Sequence, residues 1–404
     1  MNKRLCRPCP VCCSPLGVVL HTQCFAMIDE IEMESEVDIV TCVACGMVFS
    51  DLKATQEELD RNYEDHSKYA DTTLYGEESE EGFSPGAQWD IDRLDATAAW
   101  LVERLEGDEL RLLDAGCATG TFLGALKERG WKKLLGLDPS PVATATVTKV
   151  YGIETVTGSF FSPPTQMGQF DVVTLSHVLE HLTDVRGAIQ GIQKMVKNGG
   201  YAYIEVPGAS SYADYLVSPF HDFNTEHINH FSLDILDRLM AEFGFNQVET
   251  GEKVVKCSAK HDYPAIYGLW RQEEDVKKID YKRDEALVTS IVNYVTASRE
   301  KMVEFDACLQ SELVGEEKLV IWGAGQLALK LMVETVLAKK KIVAIIDGSP
   351  EKHGMHLGGI EVMDPKEARG LELPVVVASV HHSKEILDVL EADADLLLRP
   401  IVLS

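Results

Sequence analysis

The stretch LLDAGCATGTFL, residues 112–123, restricts the fold more than any other part of the chain. An apolar strand ends at Asp114, the small residues Gly116, Ala118 and Gly120 make a tight turn, and helix-patterned sequence follows. Such a turn puts the backbone of a helix N-terminus at the end of a strand and lets a ligand lie against it. Twenty-four residues past Asp114, LLGLDPS sets Asp138 and Pro139 at the end of the next apolar run, where a carboxylate can accept hydrogen bonds from both hydroxyls of a ribose. FDVVTLS and GYAYIEV are two further apolar runs, and helix-patterned segments separate all four. From about residue 90 to 250 this is the rhythm of a mostly parallel sheet in an α/β fold. The first turn is acidic at its entry, so it suits a cationic ligand better than the pyrophosphate of a dinucleotide.

At 404 residues the chain exceeds one ordinary core, so two or three domains are expected. A formal charge of −27 leaves no general basic field for a phosphate backbone, which argues against a nucleic-acid binder. No apolar run approaches membrane-spanning length, and the start, MNKRLCRPCPVC, has basic residues with no apolar stretch behind them. The expectation is therefore a cytoplasmic protein that does not engage membranes. Seven of the ten cysteines fall between Cys6 and Cys45, which in a cytosolic chain suggests metal rather than disulfides. Cys9 and Cys12 form one C-x-x-C, and Cys42 and Cys45 form another in CVACG, whose glycine allows the tight turn of a zinc knuckle. Four thiolates from two such turns close a tetrahedral Zn2+ site with no open position, which makes that zinc structural. Cys6 and Cys13 compete for the first pair.

Residues 280–313 carry apolar side chains at helical spacing with no breaker and read as a long helical arm. After Gly315 the runs KLVIWGAG, KIVAIID and LPVVVAS mark a second, smaller α/β unit. There Gly323, Gly325 and Ala328 fit G-x-G-x-x-A after a strand, and Asp347 lies about twenty residues on, as in a dinucleotide fingerprint. The chain that remains is too short for a second mononucleotide half, and nothing nearby offers hydride chemistry. A working NAD site is not expected.

LDAGCATG, GLDPS, FDVVTLSHVLEHL and KNGGYAYIEVP, in that order and spacing, resemble the motifs of the class I S-adenosylmethionine-dependent methyltransferases. The resemblance implies that Gly116 and Gly120, with Asp114 at the turn's entry, approach the methionine end of S-adenosyl-L-methionine. It also implies that Asp138, followed by Pro139, holds the ribose, that Ser159 and Phe160 flank the adenine, and that Ser176 and His177 line the floor after the fourth strand. VACGMVFSD, WGAGQLALKL and IIDGSPEKHGMHLGGIEV extend the likeness over nearly the whole chain, which resembles the three-domain sugar C-methyltransferases of deoxysugar biosynthesis. By that resemblance residues 1–80 form a zinc-binding domain and 81–252 a Rossmann-like methyltransferase core. Residues 253–404 would then be the helical arm and a smaller Rossmann-like domain. The implied substrate is a nucleotide-linked 4-keto-6-deoxy sugar held between the core and the C-terminal domain.

FHDFNTEHINHFS, residues 220–232, follows the fifth core strand and precedes a helix that Ser232 should cap. The corresponding segment of the sugar enzymes reads tyrosine, histidine, glutamate, histidine, with the last histidine as base. Glu226 and His227 match its last two positions, while Asn224 stands at the place of the tyrosine and Thr225 at that of the first histidine. His181 matches a further active-site histidine, and Tyr63 or Tyr69 lies in the region from which the first domain supplies a tyrosine. The plainer reading is that His177 caps or packs and that His230, with His227, ties the loop to the sheet. Methylating a carbon beside a ketone requires an enolate, hence a placed base and a group to stabilise the enolate oxygen. An oxygen or nitrogen acceptor requires less, so O- or N-methyl transfer to another small molecule is the alternative. A zinc-ribbon binding module that has kept the fold without the activity is the third.

Overall fold

The computed structural model describes residues 2–29, 34–58, 88–105, 109–161, 167–256, 262–273 and 279–403. Tyr63, Tyr69 and most of the acidic stretch around them lie outside the described residues.

Three sheets organise the chain. The N-terminal sheet is built from β1 (Lys3–Arg4), β2 (Leu16–Cys24), β3 (Glu36–Cys42) and β4 (Val48–Ser50). The core sheet takes β5 (Arg111–Ala115), β6 (Lys133–Asp138), β7 (Glu154–Thr157), β8 (Phe170–Ser176) and β9 (Val196–Pro207). A short β10 (Asn229–His230) leaves the core and completes the N-terminal sheet, in the order β1-β2-β3-β4-β10. The core sheet then gains β11 (Phe245–Lys256) and β12 (Asp262–Gln272), giving the order β11-β12-β9-β8-β5-β6-β7. Strands β5 to β9 pair in parallel, and only β12 runs against its neighbours. The hairpin carries the core sheet to Gln272, beyond the expected boundary at residue 252.

Burial explains why the core strands read as unbroken apolar runs. In β8 the residues Val172 to Leu175 are all buried, because helices cover both faces of a parallel sheet. The helices α1 (Gln88–Arg104), α2 (Thr121–Glu128), α3 (Pro141–Tyr151), α4 (Val185–Met195) and α5 (Leu233–Glu242) supply that cover. On α4 the buried residues Val185, Ala188, Ile189, Ile192 and Met195 recur at three- and four-residue steps. Three of these helices begin on a side-chain cap: Ser140 accepts from the Ala143 N–H, Asp184 from Gly187, and Ser232 from Ile235, the last as expected from sequence.

The arm is a helix, α6 (Glu285–Glu312), with a buried face that includes Leu287, Ile291, Tyr294 and Ser298. Its Ser298 hydroxyl accepts from the Phe220 N–H and its Tyr294 hydroxyl from the Asp222 N–H, at 3.1 and 2.9 Å. Arg299 donates to the Leu20 carbonyl of β2, and Asp306 accepts from the Val336 N–H. The last sheet contains β13 (Lys318–Trp322), β14 (Lys341–Ile346), β15 (His356–Leu357), β16 (Ile360–Met363), β17 (Pro374–Val377) and β18 (Arg399–Val402). Their order is β15-β16-β14-β13-β17-β18. Helices α7 (Gln326–Glu334) and α8 (Ser383–Ala392) accompany them. The three strands read from sequence are the central ones. The flanking β16 and β18 each bury one of four residues, too little apolar signal to register.

Candidate active site

The carboxyl ends of β5, β6 and β8 lie side by side, and each carries residues expected at the cofactor. Asp114 ends its apolar run fully buried and accepts a 2.7 Å bond from the Thr174 hydroxyl of β8. Burial pushes its carboxyl up to about 7 against the pull of Thr174, and the nearby Asp138 adds to the rise. In the turn that follows, Gly116, Ala118 and Gly120 all have positive φ, of 81°, 45° and 82°. A Cβ at Gly116 would lie 2.6 Å from Val178, and one at Gly120 2.7 Å from Val147, so both glycines are also required by packing.

Asp138 closes the turn. Its two oxygens accept from the Ala118 and Ser140 N–H groups, each at 2.9 Å, and a carboxylate so bonded keeps further lone pairs for hydroxyl donors. Burial raises its pKa while those two bonds oppose the rise. Pro139 fills the first position after it, ahead of the Ser140 cap. Ser159 accepts from the Phe161 N–H, whereas Phe160 is buried in the core and Phe161 is the half-buried ring of the pair. At the second glycine turn the carboxylate is held in the same way: Asp347 accepts from the Ala324 and Ser349 N–H groups at 2.7 and 2.9 Å. There, however, Lys352 also donates to the carboxylate, at 3.1 Å, and takes up acceptor capacity that Asp138 keeps in the first turn.

Past Ser176 the chain makes an unusual step. His177 has φ +56°, a left-handed conformation that costs a non-glycine residue energy and is concentrated at functional sites. Its two ring nitrogens bridge two fully buried carboxylates, Glu180 at 3.1 Å and Glu205 at 3.3 Å. Burial disfavours a charged His177, but the two carboxylates outweigh it and its pKa is raised. Glu205, at the end of β9, also accepts from Arg93, Lys253 and the Tyr203 hydroxyl. Arg93 further reaches the Ser176 hydroxyl, at 3.4 Å. Burial would raise the Glu205 carboxyl, yet His177, Lys253 and Arg93 hold it well below the usual range.

Loop 220–232 closes over this floor. The Glu180 carbonyl accepts from the Ile228 N–H, and the Asn229 amide donates to the Leu179 and Leu182 carbonyls. The Asn224 oxygen accepts from the N–H groups of Glu226 and His227 at 2.9 and 2.6 Å, a local turn that sets the His227 ring. His181 and His227 then meet edge to face with ring centres 4.9 Å apart. His181 Nδ1 lies 3.0 Å from the Glu226 carbonyl; a carbonyl only accepts, so the ring proton is on Nδ1. Glu226 orients His181 through its backbone while its own side chain is exposed. Burial and the neighbouring His181 lower the His227 pKa to about 3. His230 points elsewhere: it is fully buried, its strand pairs with Val48 of β4, and Nδ1 faces the Tyr212 hydroxyl at 3.5 Å. Glu180, Glu205 and Arg93 were not singled out from sequence. The one signal for Glu180 was its place between two histidines in SHVLEHL.

Cys9, Cys12, Cys42 and Cys45 come together with all sulfurs within 4.8 Å of one another, Cys9 to Cys45 at 3.6 Å and Cys12 to Cys42 at 3.4 Å. Zinc–sulfur bonds of about 2.3 Å in a tetrahedron separate sulfurs by roughly 3.8 Å, so the set fits zinc after a small expansion. Cys6 and Cys13 are exposed and stand outside it. Gly46, at φ +82°, presses its bare Cα against the start of α6, where a Cβ would sit 2.7 Å from the Asp284 nitrogen.

Residues 90–250 match a family model described as a methyltransferase domain, and residues 315–393 match one described as C2185-like, N-terminal. The core is therefore a methyltransferase domain on an α/β, Rossmann-like sheet. Ubiquinone biosynthesis O-methyltransferases are among the curated relatives. That of Marinobacter nauticus is 30% identical over 114 residues, covering 26% of this chain and 47% of the relative, and that of Pseudomonas aeruginosa strain PAO1 is 31% identical over 112 residues with the same coverage. The chain thus spans about half the length of the curated relatives it matches. Among solved structures, magnesium protoporphyrin IX methyltransferase from Synechocystis PCC 6803 with bound SAM is 16% identical, covering 55% of this chain and 98% of that one, with a TM-score of 0.39. N-methyltransferase NodS from Bradyrhizobium japonicum WM9 is 20% identical, with 46% and 97% covered and a TM-score of 0.36. Among the described residues no helix is long and apolar enough to cross a membrane.

Proposed function

We propose that the protein is an S-adenosylmethionine-dependent methyltransferase acting on a small oxygen-bearing molecule, with a structural zinc on Cys9, Cys12, Cys42 and Cys45. One observation carries the reading: the glycine turn with Asp114 and Asp138, and the Glu180, His181 and His227 group, occupy the carboxyl edge of adjacent parallel strands, where open α/β sheets bind ligands. When bound, the cofactor supplies a sulfonium methyl group. Asp138 would take the ribose hydroxyls on its remaining lone pairs, and Asp114 would face the cationic end. The histidine group beyond Ser176 is where the acceptor would be held and lose its proton, and holding it in line is the chief source of rate in such a displacement.

The favoured acceptor is a nucleotide-linked 4-keto-deoxy sugar, methylated on carbon. It is supported by the match of Glu226 and His227 to the sugar enzymes' segment. O-methylation of another small molecule is the second reading, favoured by the ubiquinone O-methyltransferase relatives. Proton exchange separates the two. With S-adenosylhomocysteine in deuterium oxide, a 4-keto nucleotide sugar should exchange its α-proton, as read by NMR, and His227→Asn should abolish the exchange while cofactor affinity stays nearly intact. A product methylated on oxygen, with no carbon-bound deuterium, would discard the enolate route.

A further inference from the structure

The Glu180, His181 and His227 group has the makings of a second metal centre, unlike the four-cysteine site in both chemistry and openness. One carboxylate oxygen and one nitrogen from each ring lie within 4.8 Å of one another. Bonds of about 2.1 Å to a common ion set three such ligand atoms about 3.0–3.4 Å apart, so the widest pair has to close by something over an ångström, shared between two side chains.

Three details point to a ligand rather than to a packed cluster. With its proton on Nδ1 and donated to the Glu226 carbonyl, His181 keeps an unprotonated Nε2 that can bind a cation, 3.9 Å from Glu180 Oε1. Anchoring the outer ring nitrogen on a carbonyl is the usual arrangement of a metal-bound histidine. Glu180 is fully buried, and while Oε1 meets His177, Oε2 has no hydrogen-bond partner. His227 Nδ1 is also buried without one. Orphaned polar atoms inside a protein are rare and costly, and two of them in one three-residue group call for an occupant. The frame is also rigid: the Ile228 and Asn229 bonds lock the loop bearing His227 to the turn bearing Glu180 and His181.

We propose that Glu180, His181 and His227 bind a divalent transition-metal ion, of the Mn2+, Fe2+, Co2+ or Zn2+ class, whose open positions take the oxygen of the methyl acceptor. Two imidazoles and one carboxylate suit those ions better than Mg2+ or Ca2+, which prefer oxygen alone, and three protein ligands leave room for water and substrate. This deepens the methyltransferase reading and rests on it for the role of the ion, though not for its binding. The ion would ionise the acceptor's hydroxyl or enol at neutral pH, with the proton leaving to solvent. The oxygen-stabilised nucleophile then forms its bond to the methyl carbon as the carbon–sulfur bond breaks, and the sulfonium becomes the thioether of S-adenosylhomocysteine.

The test uses full-length protein with its cysteine site loaded with zinc, titrated with Mn2+ while free Mn2+ is followed by electron paramagnetic resonance. One Mn2+ per chain should bind. His181→Gln and His227→Gln should each weaken it at least about tenfold, whereas His221→Gln, an exposed histidine on the same loop, should leave it unchanged. Glu180→Gln, nearly the same shape, serves if either histidine variant is poorly folded as judged by zinc content. No binding below about 1 mM, or equal binding by the histidine variants and the wild type, overturns the proposal. Cofactor titration without added metal tests the methyltransferase reading separately, so the failure of one is not mistaken for the failure of the other.

Discussion

Asp114 should make cofactor binding depend on pH in a direction that can be worked out in advance. Its carboxyl is fully buried, and burial is the main reason its pKa stands at about 7, with Thr174 opposing the rise and Asp138 adding to it. A cationic ligand at the turn favours the ionised form. With a pKa near 7, about a tenth of the chains have Asp114 ionised at pH 6 and about nine tenths at pH 8. If S-adenosylmethionine binds only the ionised form, its apparent Kd should tighten about tenfold between those two values. The unliganded protein should behave in the opposite sense. Because the folded pKa is raised, the unfolded carboxyl ionises first, and stability should decline as pH rises from about 4 to about 7. Isothermal titration at pH 6, 7 and 8 on wild type and Asp114→Asn is the assay. Asn keeps an acceptor for Thr174, and any titration of the cofactor itself is common to both proteins. Equal pH dependence in the two would refute the reasoning, as would wild-type affinity that falls while pH rises.

Asp138→Ala should weaken S-adenosylmethionine binding by about 2 kcal/mol or more, since it removes the ribose acceptor and frees the Ala118 and Ser140 N–H groups, whereas Asp347→Ala should leave it unchanged. Equal losses in titration would place the cofactor in the wrong turn. Metal analysis should find zinc on the four cysteines, and Cys9→Ser should lose it together with much of the N-terminal sheet's stability; full zinc in that variant would assign the ligand to Cys6 instead. Ser232→Ala removes the cap of α5 and the 2.6 Å bond that Ser232 donates to the buried Asp284, so urea denaturation should show a loss of about 1–2 kcal/mol.

Local chemistry wrote the strand–turn–helix at residues 112–123, the carboxylate at Asp138, the Ser232 cap and the two C-x-x-C pairs into the sequence. Each is decided by a few consecutive residues whose backbone demands or burial do not depend on distant partners. The same holds for the central strands β5, β6, β8 and β9, whose burial on both faces leaves an unbroken apolar run. The candidate site was legible only in part, because its chemistry depends on pairs far apart in the chain. His181 gains its orientation from Glu226, 45 residues on, and His177 gains Glu205 from the end of the next strand. Apart from the resemblance that singled out His227, the local chemistry of FHDFNTEHINHFS does not tell His227, turned toward His181, from His230, turned into the core. That difference arises because His230 is drawn into the N-terminal sheet by its pairing with β4, whereas His227 lies before that strand, in the turn closed by Asn224. The hairpin β11–β12 likewise joins the core sheet through bonds to β9 that no local pattern announces. What the tertiary structure alone decided is which of several similar polar residues share a desolvated space, since burial and partnership are properties of the packed chain and not of the residue.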